Sequence, residues 1–366
     1  MNPISSFSPW LRRPGFRRSR PILPIVGGGL AIAVLAAGVW AGHRAIKRAI
    51  AAKTTQPQCY SLNVLSSSAT TCYPQPTRLT TEPTTAIVTD AAGSLLITSH
   101  DRRIHVWDLT TGTRLRSLIA HRHWVSALAL APDRRTLASA SLDGTIHLWD
   151  VATGRLEAIL MARQTTALAF SPDGRLLASG TRLVDRGNPT RFRPIRLWDV
   201  ATGEWISSLP VEEPITAIAF SPDGQKVAGG SRQVRVWDLS TERSLYSVEA
   251  GDLNALSFSP DSQWLLTGGD GIQGKGGIKF WRATTGERLR SLHSIAGTLA
   301  ISPDGSRLLT TYGDSVHLWQ FPSLRYLGTL PSATYSSVTA QFGDAGQAIV
   351  VGSSEGVQVW RSPISE

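Results

Sequence analysis

The chain has 366 residues, 42% hydrophobic and 17% charged, which is enough apolar surface for a large folded core and is not the composition of a disordered polymer. The formal net charge is +10, yet residues 1–53 hold nine Arg and Lys and no Asp or Glu, leaving 28 basic against 27 acidic residues beyond them. A nearly neutral body lacks the broad basic face that phosphate-backbone binding needs, so no nucleic-acid partner is expected.

In chain order, residues 1–20 read as a basic tail. Residues 21–42 follow as a predicted single transmembrane helix, because Ile22–Gly42 is a run of 21 residues without a charge. At 1.5 Å per residue such a helix spans roughly 30 Å, the hydrocarbon thickness of a bilayer. A cleaved signal peptide is one alternative, although its apolar core is usually shorter. A twin-arginine export signal is another, carried only by the pairs Arg12–Arg13 and Arg17–Arg18. Five basic residues precede the run and four follow it, so the charge rule leans only slightly toward a cytoplasmic N-terminus.

Residues 43–76 read as a linker carrying the two cysteines of the chain, Cys59 and Cys72. A bridge between them would close a loop worth about 3 kcal/mol in the chain-entropy view. With no metal-ligand partners nearby, the pair points to an oxidising compartment; two unpaired linker thiols are the alternative. The expected location is a single-pass membrane protein whose folded body lies outside the cytoplasm, in a periplasm or lumen.

Residues 77–366 are an array of repeats. HVWDLTTG, HLWDVATG, RLWDVATG, RVWDLSTE and KFWRATTG recur, with weaker copies HLWQFPSL and QVWRSPIS. Their tryptophans are Trp107, Trp149, Trp198, Trp237, Trp281, Trp319 and Trp360, spaced 38 to 49 residues apart. That period marks equivalent structural units. The alternating residues before each tryptophan predict a strand. Upstream, stretches such as ALAFSPDGRLLASG predict a hairpin, since Pro presets φ and Gly relieves the last turn position. Asp-x-x-Thr-Gly turns into a further strand, giving about four strands per unit. One such sheet cannot cover both its apolar faces, so neighbours must stack. The prediction is an all-β, seven-bladed β-propeller of four-stranded antiparallel blades, preceded by the N-terminal transmembrane helix.

These motifs resemble the WD-repeat family over about residues 77–366. The resemblance implies a structural hydrogen-bond tetrad in the second repeat made by His121, Ser139, Asp143 and Trp149. Asp101 and Trp107 match part of it in the first repeat. The other repeats lack the histidine, so complete tetrads are not expected there, and in several repeats the blade is expected to rely on apolar packing instead. The resemblance also implies that the last blade takes its fourth strand from about Gln75–Thr81.

Little of the chain speaks for catalysis. GDGIQGK (Gly269–Lys275) has phosphate-loop spacing, but Gly276 replaces the Ser or Thr that would hold magnesium, and it lies between two strands. His105, His147 and His317 occupy equivalent places in different units and do not converge on one metal ion. No nucleophile–base arrangement stands out. No enzyme activity, cofactor or metal is expected. Candidate partner contacts are Trp124, in a loop between units, and an insertion in the third unit that carries Arg182, Arg186, Arg191 and Arg193. Read blandly, the insertion is a solvated hairpin and Trp124 packs under its loop. The functional expectation is a non-catalytic, membrane-anchored scaffold for protein partners. The alternative is an extracytoplasmic enzyme or small-ligand propeller with its site at the channel mouth. A further resemblance, to periplasmic propellers of the Tol envelope system, rests on the Ser-Pro-Asp-Gly turns alone.

Overall fold

The computed structural model describes Tyr60–Ser61, Cys72–Tyr73 and residues 76–90, 93–182, 194–269, 277–292, 294, 296–331 and 339–361. The predicted transmembrane segment, Cys59, Arg186, Arg191, Arg193 and most of the GDGIQGK stretch lie outside these residues. Among the described residues no helix is long and apolar enough to cross a membrane.

The turn chemistry read from the sequence sets the strand ends. In the third unit Gly174 donates its N–H to the Ser171 carbonyl at 2.9 Å and sits at φ +72°, a conformation that suits glycine. Asp173 accepts the Arg175 N–H at 3.1 Å and closes the same turn. In the Asp-x-x-Thr-Gly turn of the second unit, Asp150 accepts the Thr153 N–H and hydroxyl, each at 2.6 Å. These donors hold the Asp150 carboxyl below the usual carboxylate range.

Strands between these turns pair as seven four-stranded antiparallel sheets, each with strands a to d in order from the centre outwards. Blade 1 holds Ala86–Thr89, Leu95–His100, Arg103–Asp108 and Thr113–Ile119. Blade 2 holds Val125–Leu130, Thr136–Ser141, Thr145–Asp150 and Leu156–Met161. Blade 3 holds Thr165–Phe170, Leu176–Thr181, Ile195–Asp199 and Trp205–Leu209. Blades 4, 5 and 6 lie within 217–249, 253–292 and 299–331. Blade 7 takes three strands from 339–361 and its outer strand from Thr77–Thr80, which pairs antiparallel with Gly356–Arg361. The borrowed closing strand expected from the sequence is therefore present. Separately, Tyr60–Ser61 pairs with Cys72–Tyr73 in a short two-stranded ladder.

In blades 1 to 6 the c–d ladder shifts register immediately before the repeat tryptophan. Such a bulge twists the strand locally and re-aims the side chain. The tryptophans pack backwards onto the preceding blade. Trp149 joins Ile97, Ile104 and Val106 of blade 1, and Trp198 joins Ala138, Ile146 and Leu148 of blade 2. Trp107 likewise joins Val350, Val357 and Val359 of blade 7, with Leu79 of the closing strand at the edge. One apolar cluster fills each of the seven blade interfaces.

Two faces result. The b–c turns and d–a loops lie on one, because Val125 pairs with Ser141 and Thr145 with Met161. The a–b and c–d turns lie on the other.

Candidate functional site

Blade 2 brings His121, Ser139, Asp143 and Trp149 together. The Trp149 Nε1–H donates to Ser139 Oγ at 2.9 Å, and Ser139 Oγ meets His121 Nε2 at 2.8 Å. His121 Nδ1 lies 3.1 Å from Asp143 Oδ2. A carboxylate only accepts, so neutral His121 carries its proton on Nδ1 and takes the Ser139 hydroxyl proton at Nε2. Asp143 also accepts the Arg122 N–H at 2.9 Å and the Thr145 hydroxyl at 2.6 Å. One line of bonds thus ties the d–a loop to strands b and c.

Protonation of this chain of bonds is biased. Burial pushes His121 below its ordinary 6.5 despite the opposing pull of Asp143. Burial works against the Asp143 charge, but the Thr145 hydroxyl, the Arg122 N–H and His121 outweigh it and bring its pKa down to about 2. Both groups fold best in the form present at neutral pH. Stability tied to His121 is full above pH 6.5 and falls as pH drops below it; stability tied to Asp143 is full above pH 4 and falls toward pH 2. Thermal unfolding followed from pH 4 to pH 2.5 should show a fall in melting temperature that Asp143→Asn makes shallower, because asparagine takes up no proton there. An equal slope in the variant would refute the assignment.

Other blades keep half of this arrangement. The indole N–H donates to Thr98 in blade 1, Ser179 in blade 3, Thr267 in blade 5 and Thr310 in blade 6, at 2.8 to 3.0 Å. These blades add one indole–hydroxyl bond to the apolar packing expected of them. A hydroxyl on strand b suffices to hold the tryptophan, and only the link to the d–a loop is missing. Blade 4 has Gly229 at this place, and the buried Trp237 Nε1 has no partner among the described residues.

The d–a loop is tied down in other ways. Glu213, in the loop leading to blade 4, accepts the Ser231 hydroxyl at 3.0 Å and the Arg232 and Gln233 N–H groups at 3.2 Å each. The carboxylate therefore comes from the loop and the donors from the b–c turn, the reverse of blade 2. The strand-c residue two before each tryptophan forms a second clasp. Arg196 reaches the Met161 carbonyl at 3.1 Å, Arg235 that of Pro210 at 3.4 Å, and Lys279 those of Glu249 and Ala250 at 3.0 and 2.9 Å. His105 fills this place in blade 1, buried, 2.8 Å from Ser117 Oγ and 3.2 Å from Glu82. His147 fills it in blade 2 and stacks on His121 at 4.0 Å. His105, His147 and His317 lie in separate blades.

This repeating geometry agrees with a family model. The WD domain, G-beta repeat, matches residues 112–150, 162–186, 203–238 and 242–272. The chain belongs to the WD40-repeat β-propeller family. It is similar to anaphase-promoting complex subunit cdh1 of Dictyostelium discoideum, 30% identical over 71% of this chain and 33% of that protein. It is also similar to protein FIZZY-RELATED 2 of Arabidopsis thaliana, 26% identical over 69% of this chain and 44% of the relative. The guanine nucleotide-binding protein subunit beta of Oryza sativa subsp. indica is 27% identical over 52% of this chain and 53% of its own. The chain spans about half or less of the length of these relatives.

In this WD40 propeller the described partner candidates, Trp124 and Arg182, fall on the face of b–c turns and d–a loops. Trp124 immediately precedes strand a of blade 2 and is 59% exposed. Its carbonyl accepts the Leu142 N–H at 3.1 Å, so it sits beside the b–c turn with its ring in solvent. Arg182 is exposed at the end of strand b of blade 3, its N–H held by the Gln164 carbonyl at 3.2 Å. Cys72 pairs by backbone with Ser61.

The inner strands enclose a channel of about 760 Å³. Ala, Leu, Ile, Thr and Asn line most of it, and its described lining includes one acidic and one basic side chain, Asp90 and Arg134. These two pair with each other at 2.6 Å. Among the described residues no group of three or more His, Cys, Asp or Glu is placed to hold a metal ion.

Proposed function

We propose that this WD40 propeller is a non-catalytic scaffold, tethered to a membrane by the apolar segment at residues 21–42 and binding protein partners through its loop face. Residues 1–20 are then a cytoplasmic tail, 43–76 an extracytoplasmic linker and 77–366 the propeller domain. The observation that carries this reading is a contrast between channel and rim. The channel's charged pair is self-neutralised, while the loop face exposes Trp124 and Arg182. Catalytic sites gather perturbed, convergent polar groups, and contact surfaces gather exposed aromatic and arginine side chains. Arg186, Arg191 and Arg193 would extend the contact in the same loop. The names of the relatives, one a subunit of the anaphase-promoting complex and one of a guanine nucleotide-binding protein, support work within protein assemblies. The enzyme and small-ligand alternative draws no support from the channel lining.

Cell fractionation tests the tether. The intact chain should resist alkaline carbonate extraction, and a chain lacking residues 1–53 should appear in the soluble fraction. A shortened chain that remains on membranes in high salt would overturn the tether. Protease added outside intact cells should release a tagged propeller by cutting within the linker. Protection until lysis would place the propeller in the cytoplasm.

A further inference from the structure

We infer that the loop face over blades 2 and 3 docks an acidic segment of a soluble protein, which lays an apolar side chain against Trp124. This rests on the scaffold reading and names the chemistry of its partner.

The surface is continuous and held by backbone bonds. Leu142 donates its N–H to the Trp124 carbonyl, and Met161 pairs with Thr145 at the far end of the same turn. Arg122 donates its N–H to Asp143 in that turn, and the Arg163 side chain is the nearest neighbour of Gly144. Arg182 joins through its bond to Gln164, one residue beyond Arg163. Trp124, Leu142 and Met161 are 59%, 47% and 70% exposed, a large apolar excess for one turn and its flanks.

Its neighbouring acids are already engaged: Asp101 pairs with Arg102, Asp252 with Arg232, and Glu213 accepts from Ser231, Arg232 and Gln233. Arg122, Arg163 and Arg182 are exposed, and none forms an ion pair with a described residue. The one carboxylate in the turn, Asp143, is spent on His121, Thr145 and the Arg122 N–H. Three guanidiniums without an ion pair among the described residues, on the same face as an exposed indole, match carboxylates around an apolar anchor, with bidentate geometry available to each arginine.

The closing strand Thr77–Thr80 runs with Thr80 opposite Val357 and Thr77 opposite Val359. It therefore starts at the a–b and c–d turn face and ends at the loop face, so Thr77 lies on the face away from Trp124.

The test uses the full chain in detergent micelles and a fluorescein-labelled synthetic peptide of alternating Asp and Glu with a central Leu-Phe pair. Anisotropy should show this peptide binding about tenfold or more tightly than the same peptide with Lys for every acid. Arg122→Ser with Arg163→Ser should weaken it about tenfold and lower the salt dependence, and Trp124→Ser should weaken it comparably. Arg155→Ser, on the opposite face, should change nothing. These side chains are exposed, so melting temperatures should stay level; if the double variant fails to fold, Arg182→Ser alone carries the charge test. Equal binding of both peptides, or binding untouched by the variants, would overturn the inference. So would tighter binding of phosphatidylglycerol nanodiscs or a single-stranded oligonucleotide through the same arginines. Protein partners that cross-link equally to the wild type and to a variant combining Arg122→Ser, Trp124→Ser and Arg163→Ser would leave the scaffold reading standing and remove this surface from it. Failure of the wild type to cross-link to any protein would remove both.

Discussion

A chain beginning at Thr84 should melt about 10 °C below one beginning at Thr54, although neither contains the apolar N-terminal segment. The longer chain keeps Thr77–Thr80, which supplies the fourth strand of blade 7 through pairs to Val359, Gln358 and Val357. Removing it deletes about three ladder bonds at roughly 1 kcal/mol net each, and the burial of Leu79 at roughly 2 kcal/mol. The loss of about 5 kcal/mol corresponds to about 2 °C per kcal/mol in a domain of this size. Val357 and Val359, both buried, would then sit on an open edge. Calorimetry of the two shortened chains decides it. Coincident transitions would mean that the ring closes without this strand.

Ser139→Ala should be the most damaging single-atom change in blade 2. Ser139 Oγ is the common partner of the Trp149 indole N–H and of His121 Nε2, and Ser139 is fully buried. Alanine would leave two buried polar groups without partners, at about 1–3 kcal/mol each, so a loss of about 2–5 kcal/mol is expected. Thr98, Thr267 and Thr310 do the same work in their blades, so Ser139→Thr should recover most of the loss. Denaturant unfolding of the two variants gives the comparison. If alanine and threonine behave alike, the hydroxyl is not the hub.

The blades were legible in the sequence because each device that builds them is local and repeats. Ser-Pro-Asp-Gly and Asp-x-x-Thr-Gly close turns by contacts within five residues, and the tryptophan period counts the sheets. The closing strand was legible because the family resemblance implies that the last blade borrows a strand from the start of the repeat region. The polar ties between strands were less so. The Thr98, Ser179, Thr267 and Thr310 hydroxyls matter only through cross-strand register, and a search for the histidine passes them over. The signal was present, since each lies in the second apolar run of its hairpin. Glu213 was visible in EPITAI, the match to EPTTAI at Glu82, but its role depends on a b–c turn 18 residues away. On the surface, Trp124 was named as a contact with burial under the loop as the other reading, and only the fold puts its ring in solvent. Leu142, Met161, Arg122 and Arg163 drew no notice because their neighbourhood comes from three separate segments.

The ring's last join also orders events during synthesis. Arg78 contacts Glu355 across 277 residues of chain, so the first propeller strand off the ribosome pairs with nearly the last. Until then the flank of blade 1 formed by Leu96 and Trp107 has no neighbour, because its other half is Val350, Val357 and Val359. Contacts this distant in sequence form slowly, since loop closure must precede any gain from pairing. The nascent protein therefore grows as an open crescent, blade upon blade, and its earliest strand waits for its latest. Until the C-terminal blade emerges, that flank is the kind of transient apolar surface on which chains aggregate.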